Sequence, residues 1–188
     1  MIRPLSPGDF DRVIALGELV HGAGYMTLAE LDKIYHQGIK HGVNASFVAT
    51  TGDYDEALIG FRLTYAPGQW QLDPWCSPES WGIAPERVCY FKSNTLAPAA
   101  RGQGLGGRLL AASIAAAMSQ GAEAGVTQLW KESPNNAAVR YFTKAGGRLI
   151  KEHPSRWNQA LDNPDYVCVR CGDDCHCTAV EMLLEFGR

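Results

Sequence analysis

Apolar residues recur at helical spacing early in the chain. Phe10, Val13, Ile14 and Leu16 share one face. Ser6 and Asp9 ahead of them have capping-box spacing, with Asp in place of the usual Glu, which predicts a helix to about Val20. Thr27 and Glu30 repeat the signal, and Leu28, Leu31, Ile34 and Tyr35 form a second amphipathic face. Gly22 to Met26 between them reads as a flexible joint. Ser46–Ala49 and Ala57–Tyr65 read as strands of a hairpin, with a turn over 51–56.

The pattern then breaks. Ala66 to Pro85 contains P-G, D-P, S-P and A-P pairs with Trp70, Trp75 and Trp81. Its aromatic residues cover either a cleft or the core. Arg87 to Thr95 reads as a strand, in which Tyr90, Lys92 and Asn94 alternate onto one side and Cys89, Phe91 and Ser93 onto the other. The first set is expected to line a cleft. A helix follows from Gly104 to Ser119, anchored by Leu105, Leu109, Ile114 and Met118 and ending near Gly121. Thr127–Trp130 is a strand, and Asn135–Lys144 a helix closed by Gly146 and Gly147. Arg148–Ile150, Tyr166–Arg170 and Ala179–Phe186 are further strand candidates. This order predicts an α+β (mixed α/β) fold around one main sheet.

Composition narrows the function classes. With 188 residues, 46% hydrophobic and 20% charged, the chain suits one domain, 1–188, with an insert at about 66–85 and a cysteine-rich segment at 168–177. A net charge of -3 gives no basic surplus, so no nucleic-acid partner is expected. The N-terminal residues lack the apolar core of a signal peptide, and the weakly polar run Leu109–Met118 is too short for a bilayer. The expectation is a cytoplasmic protein without a membrane partner, monomer or homodimer. None of the five histidines sits in a recognisable triad or zinc-protease motif; His21, beside the glycine joint, is the one placed for substrate contact.

The chemistry concentrates between Leu96 and Gly107, L-A-P-A-A-R-G-Q-G-L-G-G, where a strand meets a helix. Bare backbone at a helix N-terminus is suited to holding a phosphate. Gly102, Gly104 and Gly107 spell G-x-G-x-x-G, but a dinucleotide fold would place that motif after its first strand. Gly107-Arg108-Leu109 lacks the Gly-Lys-Ser/Thr of a Walker loop. The bland alternative is a tight strand-to-helix turn.

Arg101-Gly102-Gln103-Gly104-Leu105-Gly106 resembles the acetyl-coenzyme A loop, R/Q-x-x-G-x-G/A, of the GCN5-related N-acetyltransferases (the GNAT family). Leu96-Ala97-Pro98-Ala99-Ala100 ahead of it fits as well, and Asn135 to Gly147 resembles the family's later Asn-to-Gly helix with Ala and Tyr. The resemblance implies an acyl-CoA N-acyltransferase fold: a mostly antiparallel central sheet, a splayed parallel strand pair and flanking helices. It implies acetyl-CoA as cosubstrate, with the pyrophosphate on backbone N–H groups from Gln103 to Gly106. Gly104 and Gly106 allow its close approach, and Arg101 supports the turn or adds charge. The pantetheine arm would lie between Arg87–Thr95 and Thr127–Trp130, bonded near Asn94 to Leu96 and reached by Asn135 or Asn136 capping the next helix. The acceptor would be a primary amine on a small molecule or peptide, with Gly22 to Val43 and the tryptophan insert as its wall.

Family alignment from Asn135 to Gly146 puts Phe142 where many relatives carry a general-acid Tyr, with Tyr141 one residue earlier. A shift of the frame to Asn136 restores Tyr141 as the catalytic acid; otherwise Ser133 or water serves, or the thiolate leaves unaided. Asp73, Glu79 and Glu86 are candidate bases that read individually as solvated loop charges, and Cys89 is disfavoured as a nucleophile because direct attack by the amine needs none. Cys168, Cys171, Cys175 and Cys177 leave three readings: reduced structural thiols (the favoured one), a structural zinc site, or a disulfide. Two other functions stay open: a non-catalytic acyl-CoA-binding or sensing domain, and a metal- or partner-binding module using the cysteines and tryptophans.

Overall fold

Local capping starts the first two helices as expected. The computed structural model describes residues 1–52, 57–158 and 164–187. After a short strand, β1 (Ile2–Pro4), Ser6 and Asp9 cap each other across a 3-10 turn, Pro7–Asp9, and α1 follows over Phe10–His21. The Thr27–Glu30 box opens α2 (Leu28–Gln37). Next come a small hairpin, β2 (Ile39–Lys40) and β3 (Val43–Asn44), then β4 (Phe47–Thr50), β5 (Leu58–Tyr65), β6 (Val88–Leu96) and α3 (Leu105–Ser119). β7 (Ala124–Trp130), α4 (Ala137–Lys144), β8 (Arg148–His153) and β9 (Ala179–Glu185) complete the order. No helix among the described residues is long and apolar enough to cross a membrane.

Seven strands form one sheet in the order β1-β4-β5-β6-β7-β9-β8. Every neighbouring pair is antiparallel except β6 and β7. That parallel ladder runs from Val88 opposite Ala124 to Phe91 opposite Thr127 and ends there. Beyond it β6 stays paired with β5 as far as Leu96, and β7 stays paired with β9 as far as Trp130. The two halves of the sheet therefore part, which is the expected splay.

Helices and the tryptophan segment cover the faces. On one face Phe10, Val13, Leu16, Leu31 and Ile34 pack on Val48, Phe61 and Leu63. On the other, Leu110, Ala117 and Phe142 pack on Cys89, Phe91, Met182 and Leu184. The segment 66–85 extends the first layer, with Tyr65 touching both clusters. Trp81 is fully buried against Val88, Tyr90, Val126 and Leu183. Glu181 of β9, also fully buried, accepts from Trp81 Nε1 and the Ser77 N–H at 2.9 Å each and contacts His153 Nε2 at 3.2 Å. Trp70 stacks on Tyr90 with ring centroids 5.0 Å apart. Trp70 and Trp81 thus cover core.

Several expectations are corrected. Met118 is 48% exposed, because nine residues at about 100° each turn it away from Leu109. Leu110, Ser113 and Ala117 line the buried stripe instead. Tyr166–Arg170 forms no strand; an isolated bridge joins Cys168 to Gly172. The alternation expected in β6 is broken by a bulge: Leu63 faces Ser93 while Thr64 faces Phe91, leaving Lys92 as the extra residue. Tyr90 and Asn94 therefore lie on opposite faces. β1 and the β2–β3 hairpin are too short to show a period. Of the expected turn over 51–56, only Thr51 and Gly52 fall within the described residues.

Asp9 ties the start of α1 together. Burial alone would raise its carboxyl pKa, but hydrogen bonds from Arg3 and Ser6 outweigh this and hold it well below the usual carboxylate range. Its stabilising effect is full above the unfolded value of about 3.9 and drains as pH falls toward the folded value. Asp9→Asn is expected to cost about 1–3 kcal/mol at neutral pH in urea unfolding, with a gap to wild type that shrinks in acid.

Candidate active site

β6 ends at Leu96, and the chain turns through a 3-10 segment, Pro98–Ala100, into Gly102 and Gly104 at φ +77° and +73°. Gly104 is the N-cap of α3 in left-handed conformation. A Cβ at either glycine would meet no atom within 4 Å, so backbone conformation, not crowding, calls for glycine. Arg101 Nε donates to the Leu96 carbonyl at 3.3 Å and Gln103 Nε2 to that of Ala99 at 3.0 Å, so both side chains brace the loop. The first-turn N–H groups around Leu105 and Gly106 have no intrahelical partner. No acidic residue lies in that turn, which leaves its positive end uncompensated. Asn94 approaches from β6; its Nδ2 lies 3.6 Å from the place of a Gly106 Cβ, and its buried Oδ1 has no partner.

Between β7 and α4, Asn135 and Asn136 both adopt left-handed backbone, φ +54° and +52°. Neither caps α4. Ser133 Oγ does so, accepting from the Ala138 N–H at 3.0 Å, and both asparagines are left exposed at the helix mouth. The expected capping role is therefore corrected to Ser133, whose hydroxyl reaches that N–H five residues on.

Phe142 is fully buried against Phe91, and a Cβ on Gly147 would fall 2.3 Å from its ring. Tyr141, turned about 100° from it, is partly exposed. Its hydroxyl accepts a hydrogen bond from Arg62, which is 1% exposed and lies 4.7 Å over the Phe91 ring. Arg62 pairs with Asn94 in the β5–β6 register. The Tyr141 hydroxyl is thus brought to Arg62 of β5, whose guanidinium lies over Phe91, the last β6 residue paired with β7.

The bulge at Lys92 turns Ser93 and Thr95 toward α1. His21 Nε2 meets Thr95 Oγ1 at 2.9 Å, and the Tyr25 hydroxyl hydrogen-bonds Ser93 Oγ. The His21 and Tyr25 rings stack at 4.4 Å, seated over Gly17, where a Cβ would come within 2.5 Å of Tyr25. Burial, with the nearby Arg101 charge, pushes the His21 pKa down to about 4, and burial raises that of Tyr25. Alternation in the sequence pointed away from Ser93 and Thr95; only the bulge reveals them.

Other candidates disperse. Glu79 and Glu86 are exposed, while Asp73 pairs with Arg156 at 3.0 Å. Cys89 is fully buried, which pushes its thiol up and suits a core residue. The four clustered cysteines converge, with sulfurs within 4.8 Å of one another, beside Trp130, Trp157 and Tyr166. None is disulfide-bonded.

A neutral His21 at physiological pH follows from its burial. The unfolded chain binds this proton at about 6.5, so stability falls as pH drops from there toward 4. Proton NMR is expected to show the His21 imidazole titrating at about 4; ordinary titration near neutrality would refute the assignment.

The model of the acetyltransferase (GNAT) family matches residues 19–147. No curated protein matches the chain by sequence. Solved structures share the fold. Ard1 from Thermoplasma volcanium is 15% identical with a TM-score of 0.67, covering 100% of this chain and 98% of that one. The NatC complex bound to Gag peptide and CoA gives 13% identity and a TM-score of 0.69, covering 100% and 98%. The protein yncA from Salmonella typhimurium, solved with acetyl-CoA, gives 18% and 0.64, covering 100% and 94%. With the glycine-opened helix and the parted parallel strands in place, the match over more than half its length means that this chain belongs to the GNAT acetyltransferase family.

Proposed function

We propose that this chain is an enzyme that moves the acetyl group of acetyl-CoA directly onto a primary amine. The observation that carries the reading is the bare N-terminus of α3 opening beside the gap between β6 and β7. Backbone N–H groups from Gln103 to Gly106 hold the pyrophosphate, favoured by the helix dipole. Gly102 and Gly104 supply the turn, Leu105 its backbone N–H, and Arg101 braces the loop from its Leu96 contact. Where β7 leaves β6, the β6 edge keeps N–H and C=O groups that the amides of the pantetheine arm match. Asn135 and Asn136, exposed in the segment between β7 and α4, are assigned as further contacts of the arm. The two sides of the gap suit one long, amide-bearing thioester.

In the transfer, the amine nitrogen bonds to the thioester carbon, the C–S bond breaks, and the leaving sulfur takes a proton. Tyr141 is the group we assign to give that proton, because its hydroxyl is held by Arg62 at the splay. The positive charge of the buried Arg62 also stabilises negative charge building on that side. The amine approaches from the face of His21, Tyr25, Ser93 and Thr95, and its surplus proton leaves through these groups to water. We assign that face as the acceptor wall; the tryptophan segment packs in the core around Tyr90, farther back along β6.

Free-thiol release measured against a panel of primary amines tests the activity. Gly104→Trp should abolish acetyl-CoA binding by calorimetry, since the added ring would fill the phosphate approach. Tyr141→Phe should lower kcat by about 10²-fold or more, with the KM for acetyl-CoA nearly unchanged. Tight acetyl-CoA binding with no thiol release from any amine would favour a sensing domain instead.

A further inference from the structure

Acyl transfer makes no use of Cys168, Cys171, Cys175 and Cys177, yet the fold brings all four sulfurs within 4.8 Å of one another. Local geometry explains how so short a segment manages this. Cys168 and Gly172 exchange two backbone hydrogen bonds of 2.9 Å, closing a tight turn. Gly172 sits at φ +74°, where a side chain is costly. Cys177 returns against that turn, its Sγ 3.9 Å from that of Cys168 and 3.5 Å from that of Cys171. Cys175 completes the group and is 1% exposed.

We infer that these four cysteines bind one structural zinc ion as thiolates, and that the ion staples the β8–β9 loop across the end of α1. Four sulfurs at about 2.3 Å from a tetrahedral zinc stand about 3.8 Å apart. The separations of 3.5 and 3.9 Å bracket that value. A disulfide needs about 2 Å. Simple burial of apolar thiols explains why the residues are inside, but not why four sulfurs converge on one point. Binding releases the four thiol protons and leaves a net double negative charge, which calls for N–H donors. The Arg170 N–H donates to Cys168 Sγ at 3.5 Å. The indole of Trp130 packs on the cluster with Cys177 in reach, and its buried Nε1–H has no other partner. Four protein ligands leave no open position, so the ion is structural and not catalytic.

The stapled loop grips the joint after α1. The N–H groups of Val167 and Val169 donate to the carbonyls of Ala23 and His21 at 2.9 and 3.1 Å, and the Tyr166 hydroxyl donates to that of His21 at 3.0 Å. A Cβ on Gly22 or Gly24 would lie 1.9 or 2.4 Å from the Val167 or Asp165 oxygen, so the two backbones are in direct contact. The metal thereby fixes the wall that carries His21. Only that last consequence rests on the transferase reading.

The test uses the full chain, grown with zinc, reduced and desalted. Elemental analysis should give one zinc per chain. Exchange with cobalt(II) should give the visible bands and thiolate charge-transfer absorption of a tetrahedral tetrathiolate. Cys171→Ser should lose the metal on desalting, while Cys76→Ser, outside the cluster, should keep it. Should Cys171→Ser fail to fold, wild type decides: zinc should shield four thiols from alkylation, and chelation should expose them and speed amide exchange at Val167 and Val169. Absence of metal, iron in its place, or a mass loss of two hydrogens marking a disulfide would overturn the zinc site. Unchanged exchange after chelation would overturn the staple. Metal content and exchange are read without acetyl transfer, so failure of the transferase reading would leave them standing.

Discussion

The parting of β6 from β7 is the constraint on which the rest depends. Both strands are held by their other neighbours, β6 by β5 and β7 by β9, for several residues after their own ladder stops at Phe91 and Thr127. Neither can follow the other without giving up those bonds. A gap thus opens inside the sheet, and its edges keep hydrogen-bonding capacity. The glycine-opened helix stands at one end of that gap and the Tyr141–Arg62 pair beside it.

The bulge at Lys92 gives the gap two unlike walls. Before it, Tyr90 belongs to the aromatic layer with Trp70 and Trp81. After it, Ser93 and Thr95 face His21 and Tyr25, while Asn94 faces the start of α3. One inserted residue therefore separates a hydrophobic support from a polar, partly desolvated surface. Glu181 anchors the support: its carboxylate is buried, and Ser77 and Trp81 of the segment packed on the sheet and His153 of the neighbouring β8 satisfy it. A buried carboxylate lacking such partners would be strongly destabilising, so the segment and the sheet hold each other in one arrangement.

The loop from β8 to β9 adds the third side. Its hydrogen bonds to His21 and Ala23 and the close approach over Gly22 and Gly24 make the end of α1 a seat for that loop. The joint that reads as flexible is thereby held by contacts from residues far along the chain. Cysteine convergence sits at the base of this contact, next to Trp130 at the end of the splayed strand. The surface around His21 is consequently built from three remote segments, while the glycine turn into α3 is built from one.

That difference explains what could be read in advance. The caps at Ser6 and Thr27, the turn at Gly102 and Gly104 and the stop at Gly146 depend on neighbours a few residues away, so their residue types declare them. The glycine turn into α3 and the order of helices and strands were legible for that reason. Met118 was placed on the core face although it lies half a turn round α3 from Leu109, and Asn135 and Asn136 were credited with a side-chain cap that Ser133 makes. The bulge at Lys92, the Ser93–Thr95 surface, the aim of Tyr141 and the meeting of four sulfurs were not legible. By itself the sequence determined where the chain turns, caps and leaves bare backbone for an anion. Only the tertiary structure decided which side chains face one another, because strand register and loop docking are settled by pairing between segments whose separation in the chain leaves no local trace.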